Sequence, residues 1–232
     1  MYHKIGAPIL SDADRFLNVP FERFRMHMRL LQRLMYKGIT FRQTVDALGG
    51  TSNATRRSVC ITFDDGFECV RTQAARVLRE MGWPATVFVP SAWMGRTIAW
   101  GEGADGTPER VMDAVELRAL RDEGWEIAGH TKTHADLSAL SDDEALAEIA
   151  GGAAELAEAL GAPVTTFCYP KGRMNDRTPH LVRRAGLSGA CTTVSGVARS
   201  DADRYLLPRV KPASRDSAAL LLYRMFVRPY LP

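Results

Sequence analysis

Two aspartates stand side by side in "ITFDDG" (Asp64 and Asp65), and two histidines stand four residues apart in "HTKTH" (His130 and His134). Imidazoles at i and i+4 can lie on one side of a helical turn, a spacing that suits a divalent metal. Asp65 as a third ligand gives two nitrogens and one carboxylate with positions left over, the composition of a catalytic rather than a structural zinc site. Adjacent carboxylates cannot share one geometry. One is expected to hold the metal, and its neighbour to take a proton from water whose pKa the metal lowers to ~7. Each motif alone has a plainer reading, a histidine pair at a helix start and a "DDG" turn with Gly66 at positive φ. Their joint occurrence at strand ends outweighs both.

Those strand ends come from a repeating pattern. Apolar β-rich runs at 58–65, 85–90, 125–130, 165–170, 188–194 and 205–210 alternate with helical patterns at 20–35, 113–122, 141–160, 177–185 and 216–227. Ser141 with Glu144 forms a capping box. Twice a helix ends in Gly-Trp before a strand, glycine serving as the left-handed stop. Repeated βα units argue an α/β fold with a parallel sheet, open or closed into a barrel, and no linker divides residues 1–232, which are read as one domain. In such folds ligands gather at the carboxyl ends of strands. Here four ends carry Asp-Asp, His, Pro-Lys-Gly ("FCYPKG") and Arg209 ("LPRV"). The stretch 91–109 is the longest loop and a candidate lid. The four cysteines are expected reduced and mostly buried, with no C-x-x-C pair for zinc.

With these motifs in place, the chain resembles the polysaccharide deacetylases that carry the NodB homology domain, carbohydrate esterase family four. "TFDDG" is similar to the family's first motif, "HTKTH" to its second and "FCYPKG" to its third. The resemblance implies a distorted (β/α)7 TIM-like barrel and hydrolysis of an N-acetyl group on an amino sugar. It makes Asp64 the general base and Asp65, His130 and His134 the metal ligands. It gives the backbone N–H of Tyr169 to the oxyanion, with Pro170 and Gly172 shaping that loop. Lys171 stands where the branch often has Tyr. Many members orient the base with an arginine in the third motif. "FCYPKG" has none, so Arg209 is the expected substitute, against a plainer reading as a surface ion pair.

Members in the usual order protonate the departing amine with a histidine near the C-terminal end, and "LLLYRMFVRPYLP" has none. "MYHKI" is similar to the opening element of a circularly permuted branch resembling poly-N-acetylglucosamine de-N-acetylases. By that resemblance His3 is the general acid. The implied cofactor is a divalent metal, Zn2+ first, with Ni2+, Co2+ and Fe2+ as alternatives, and the implied substrate is a saccharide or glycoconjugate. Two other readings keep the barrel: an amidase for a linear or cyclic non-saccharide amide, and a degenerate barrel that binds sugar without cleaving it, against which the intact Asp64, Asp65, His130 and His134 argue.

A net charge of +3 conceals segments of +6 (1–57), −11 (58–170) and +8 (171–232). That is not the uniform basic stripe of a nucleic-acid binder. Salt bridging between surface helices explains it, with Arg224 and Arg228 in solvent. Peripheral contact of the basic termini with an anionic membrane is the sharper alternative. No apolar run approaches ~18 residues and no leader pattern is visible, so the expected location is the cytoplasm.

Overall fold

The computed structural model describes residues 1–7, 17–50, 57–98 and 109–228. Among these the strands are, in chain order, β1 (Lys4–Ile5), β2 (Asn18–Val19), β3 (Lys37–Ile39), β4 (Ser58–Cys60), β5 (Thr62–Phe63), β6 (Thr86–Val89), β7 (Thr97–Ile98), β8 (Glu109–Arg110), β9 (Glu126–Gly129), β10 (Thr166–Cys168) and β11 (Gly189–Cys191). A parallel sheet runs β11–β10–β9–β6–β5. Its strands are rich in β-branched and aromatic residues, and all four residues of β6 are buried, as a sheet covered on both faces requires.

Single parallel bridges extend both edges, Tyr2 beside Phe63 and Leu207 beside Cys191. The Met1 nitrogen donates to the Val210 carbonyl at 2.8 Å and joins the two edges. The sheet thus curls into a ring of seven staves among the described residues, a distorted (β/α)7 barrel. The run at 205–210 contributes one bridge rather than the expected strand. Pro208 has no N–H to give a ladder.

Beneath the site Phe63 is the centre of an aromatic core. Trp125 stacks on it at 5.8 Å, and Phe24 and Tyr2 pack on its other side. Helices Phe21–Arg33, Ala75–Glu80, Ala114–Asp122, Thr178–Arg184 and Ala218–Phe226 surround the sheet. Gly82 and Gly124 hold φ of +64° and +90° after two of them, as the Gly-Trp pattern predicts. The helix Phe41–Leu48 was not legible as a helix, although Thr40 and Gln43 form a complete capping box before it. The predicted helix at 141–160 runs unbroken from Asp142 to Leu160 but carries a π-helical stretch. Asp142–Leu146 leads into that stretch at Ala147–Gly151 and then Gly152–Leu160. Of the candidate lid at 91–109, β7 and β8 pair as an antiparallel ribbon, and 99–108 lie outside the described residues. All four cysteines are free thiols. No helix of the described residues is long and apolar enough to cross a membrane.

Candidate active site

Asp64 and Asp65 follow β5, His130 follows β9, and Tyr169 to Gly172 follow β10, so three strand ends of the one sheet supply the motifs. Four non-glycine residues in these motifs have positive φ: Asp65 (69°), Thr131 (61°), His134 (67°) and Lys171 (55°). Such conformations cost of order 1–3 kcal/mol each and persist where surrounding structure imposes them. The histidines are therefore not on a helical turn, as their spacing suggested. An irregular loop with two left-handed residues presents them. Thr131 Oγ1 accepts from the His134 N–H at 2.9 Å, and Glu148 accepts from the Lys132 N–H, the Thr133 N–H and the Thr133 hydroxyl. Glu148 lies in the π-helical stretch, a widened turn of the kind that often accompanies functional sites.

Asp65 Oδ1 lies 3.4 Å from His130 Nε2 and 3.3 Å from His134 Nε2, with all three side chains buried. His130 Nδ1 donates to the Cys168 carbonyl at 2.7 Å, which leaves Nε2 as the nitrogen that faces Asp65. Burial raises the Asp65 carboxyl, but His130 and His134 outweigh it and hold it well below the usual range. Two imidazole nitrogens and an ionised oxygen that converge in a buried, strained setting fit a divalent metal.

Gly152 begins the second helical segment, directly behind this loop. A Cβ there would lie 2.7 Å from both Thr131 C and Lys132 N, which are backbone atoms with little room to yield. Gly152→Ala is expected to cost about 1–3 kcal/mol. Thermal denaturation should register that loss, and a metal titration should show weakened affinity because the loop carrying His134 must move.

Arg209 grips Asp64 with two hydrogen bonds, Nη1 to Oδ1 at 2.6 Å and Nη2 to Oδ2 at 2.8 Å. It also donates to Thr62 Oγ1 and the Thr192 carbonyl. Burial raises the Asp64 carboxyl, and Arg209 overcomes that, so Asp64 stays ionised throughout the neutral range. The plainer reading of Arg209 as a surface ion pair is excluded by its burial, 6% exposed against 3% for Asp64. Removing one member of a buried pair costs about 3–5 kcal/mol. Arg209→Met is expected to lose that much stability, and Asp64→Asn added to it should recover most of the loss in a double-mutant cycle.

His3 Nε2 stands 3.9 Å from Asp64 Oδ2. Burial lowers its pKa, against the raising effect of Asp64 and Asp65. Tyr2 and Met1 are stitched into the barrel on either side, so the segment carrying His3 is fixed. The Tyr169 N–H donates to the Cys191 carbonyl at 3.3 Å, the long end of the hydrogen-bond range. Gly172 has φ +68°, and a Cβ there would fall 2.0 Å from Thr193 Oγ1. Lys171 is exposed on the same turn.

Cys168 is the residue that sequence reasoning missed. Its Sγ is 3.6 Å from Asp64 Oδ2 and 3.0 Å from Arg209 Nη2, and its carbonyl orients His130. Its position in "FCYP", one residue before Tyr169, was the available signal.

This fold and site define a class of metal-compatible barrel hydrolases, and comparison with known proteins gives the family. The polysaccharide deacetylase family model matches residues 51–190. The chain belongs to the polysaccharide deacetylase family. It is 28% identical over 211 residues to Bacillus subtilis (strain 168) YxkH, a polysaccharide deacetylase by name, covering 91% of this chain and 69% of that protein. It is 24% identical over 164 residues to the poly-β-1,6-N-acetyl-D-glucosamine N-deacetylase of Staphylococcus aureus (strain MRSA252), covering 67% of this chain and 54% of that one. Among solved structures, the Streptococcus pyogenes deacetylase PplD in complex with acetate superposes with a TM-score of 0.82 at 23% identity, over 97% of this chain and 96% of that one. IcaB from Ammonifex degensii gives 0.80 at 24% identity, over 96% and 94%. Both likenesses establish the fold.

Proposed function

We propose that the chain hydrolyses the N-acetyl group of an amino sugar within a saccharide or glycoconjugate. The observation that carries this reading is the convergence of a buried base, an Asp-His-His set and a histidine at one barrel mouth. Family membership and the name of the Staphylococcus aureus relative supply the substrate class. Asp65, His130 and His134 would hold the metal, with Zn2+ the best match to two nitrogens and one carboxylate. When bound, such a metal supplies Lewis acidity and eases the ionisation of water.

Asp64 accepts the proton of the attacking water, with Arg209 fixing its carboxylate plane. As the C–N bond breaks, His3 delivers a proton to the departing nitrogen, giving free amine and acetate. The Tyr169 N–H exchanges its long bond to Cys191 for the developing oxyanion, on a turn shaped by Pro170 and Gly172, while Lys171 meets substrate at the rim. His3 and Arg209 both lie outside 51–190 and both reach Asp64, which supports residues 1–232 acting as one catalytic unit. Acetate release should be assayed on chitooligosaccharides, acetylated peptidoglycan fragments and simple amides. Release from saccharides is expected. Turnover of simple amides alone would move the chain to the amidase reading, and none from any substrate with metal bound would leave a sugar-binding barrel.

A further inference from the structure

From Arg209 to Arg228 the chain carries five cations, Arg209, Lys211, Arg215, Arg224 and Arg228, against one acid, Asp216. Arg209 turns inward to Asp64. Three of the others line a shallow surface cleft between the loop after β11 and the helix Ala218–Phe226, together with Ser195, Gly196 and Val210. The loop is held against the strand-like run at 208–210 by the Arg209 N–H to the Val194 carbonyl and the Gly196 N–H to the Arg209 carbonyl.

The charges in this cleft are unequal in kind. Arg224 donates from Nε to Asp216 Oδ2 at 2.6 Å and from Nη2 to Oδ1 at 3.3 Å. Asp216 is itself buried and accepts from the Ala213 N–H. Arg224 is thus neutralised and held in one orientation, with guanidinium N–H groups left for a second partner. Lys211 and Arg228 have no carboxylate partner among the described residues, and no acid lines the cleft. Two positive charges stand uncompensated around a concave surface with a hydroxyl beside them.

The cleft is also tied to the segment that carries His3. The Val210 carbonyl, in its lining, accepts from the Met1 nitrogen, two residues before His3. The charge of Lys211 is felt at His3.

We propose that this cleft is a subsite for an anionic group, a phosphate or carboxylate, carried by the saccharide whose N-acetyl group is presented to Asp64. The proposal rests on the de-N-acetylase reading. Lys211 supplies a mobile point charge, and Arg224 and Arg228 supply the planar forks that match phosphate and carboxylate oxygens.

The test compares the metal-loaded protein on a neutral chitooligosaccharide and on the same oligomer with one 6-phosphate or one uronate carboxylate. Wild type should favour an anionic oligomer in kcat/KM by about tenfold or more, as one charge-assisted hydrogen bond allows. The double variant Lys211→Ala/Arg228→Ala should bring that ratio close to one, and high salt should shrink it in wild type. A fold defect would lower both rates and leave the ratio alone. A ratio unchanged in the double variant, or absent in wild type for both anionic oligomers, would overturn the proposal. If neither oligomer releases acetate, the de-N-acetylase reading fails. Calorimetric binding of the phosphorylated oligomer then decides the subsite separately, loss of binding in the double variant supporting it and absence of binding in wild type ending it. Binding of inorganic phosphate that is lost in the double variant, with both oligomers turned over equally, would mark a free anion's site and contradict the substrate claim.

Discussion

Asp64→Asn is expected to lower kcat for de-N-acetylation by about 10²–10⁴-fold, the range that a positioned general base contributes, while leaving the capacity to bind a divalent metal intact. Asparagine keeps the shape and one acceptor oxygen but cannot take a proton. Metal binding should persist because Asp65, His130 and His134 are untouched. His130→Ala separates the two roles. It deletes one of three convergent donors and the bond that ties β9 to the Cys168 carbonyl, so metal and activity should be lost together. Metal content by elemental analysis, measured beside kcat on each preparation, checks both. Full activity in both variants would sink the mechanism.

His3→Ala should keep fold and metal yet lose a comparable factor on amides. An amine anion is a very poor leaving group, and no other histidine of the chain is placed to protonate it. His27 is buried with both ring nitrogens engaged, one with the Tyr2 hydroxyl and one with the Asp216 carbonyl. His180 sits in the helix Thr178–Arg184, on the outside of the barrel. The signature that separates acid catalysis from a structural effect is leaving-group dependence. On an activated acetyl ester, whose leaving group departs without a proton, the loss should shrink to a small factor. Equal loss on amide and ester would assign His3 a structural role.

The four residues of the first two motifs were legible because strand-end position and residue type point the same way. Arg209 was legible for the same reason, though its bidentate hold on Asp64 required the barrel to bring residues 145 apart into contact. What the sequence could not display is how His130 and His134 converge. Spacing of four suggested a helical turn, whereas two left-handed residues and the carboxylate of Glu148 build the loop instead. Glu148 and Gly152 read as ordinary helix residues, since their effect on that loop is made entirely through the fold. Cys168 read as a buried strand residue for the same cause. The sheet's closure depends on single bridges and one terminal hydrogen bond, which leave no periodic trace in composition.

The central claim is that this chain's Asp-His-His set and Asp64 together perform metal-dependent hydrolysis of N-acetyl groups. It is tested most directly by titrating chelator-stripped protein with Zn2+ while recording acetate release from an N-acetylglucosamine oligomer. Acetate release should rise with bound metal and saturate at one equivalent per chain in wild type. In Asp64→Asn, metal should bind to the same equivalence without acetate release. Release by the stripped protein at the rate of the loaded one would contradict the account, as would a loaded wild-type protein that frees no acetate.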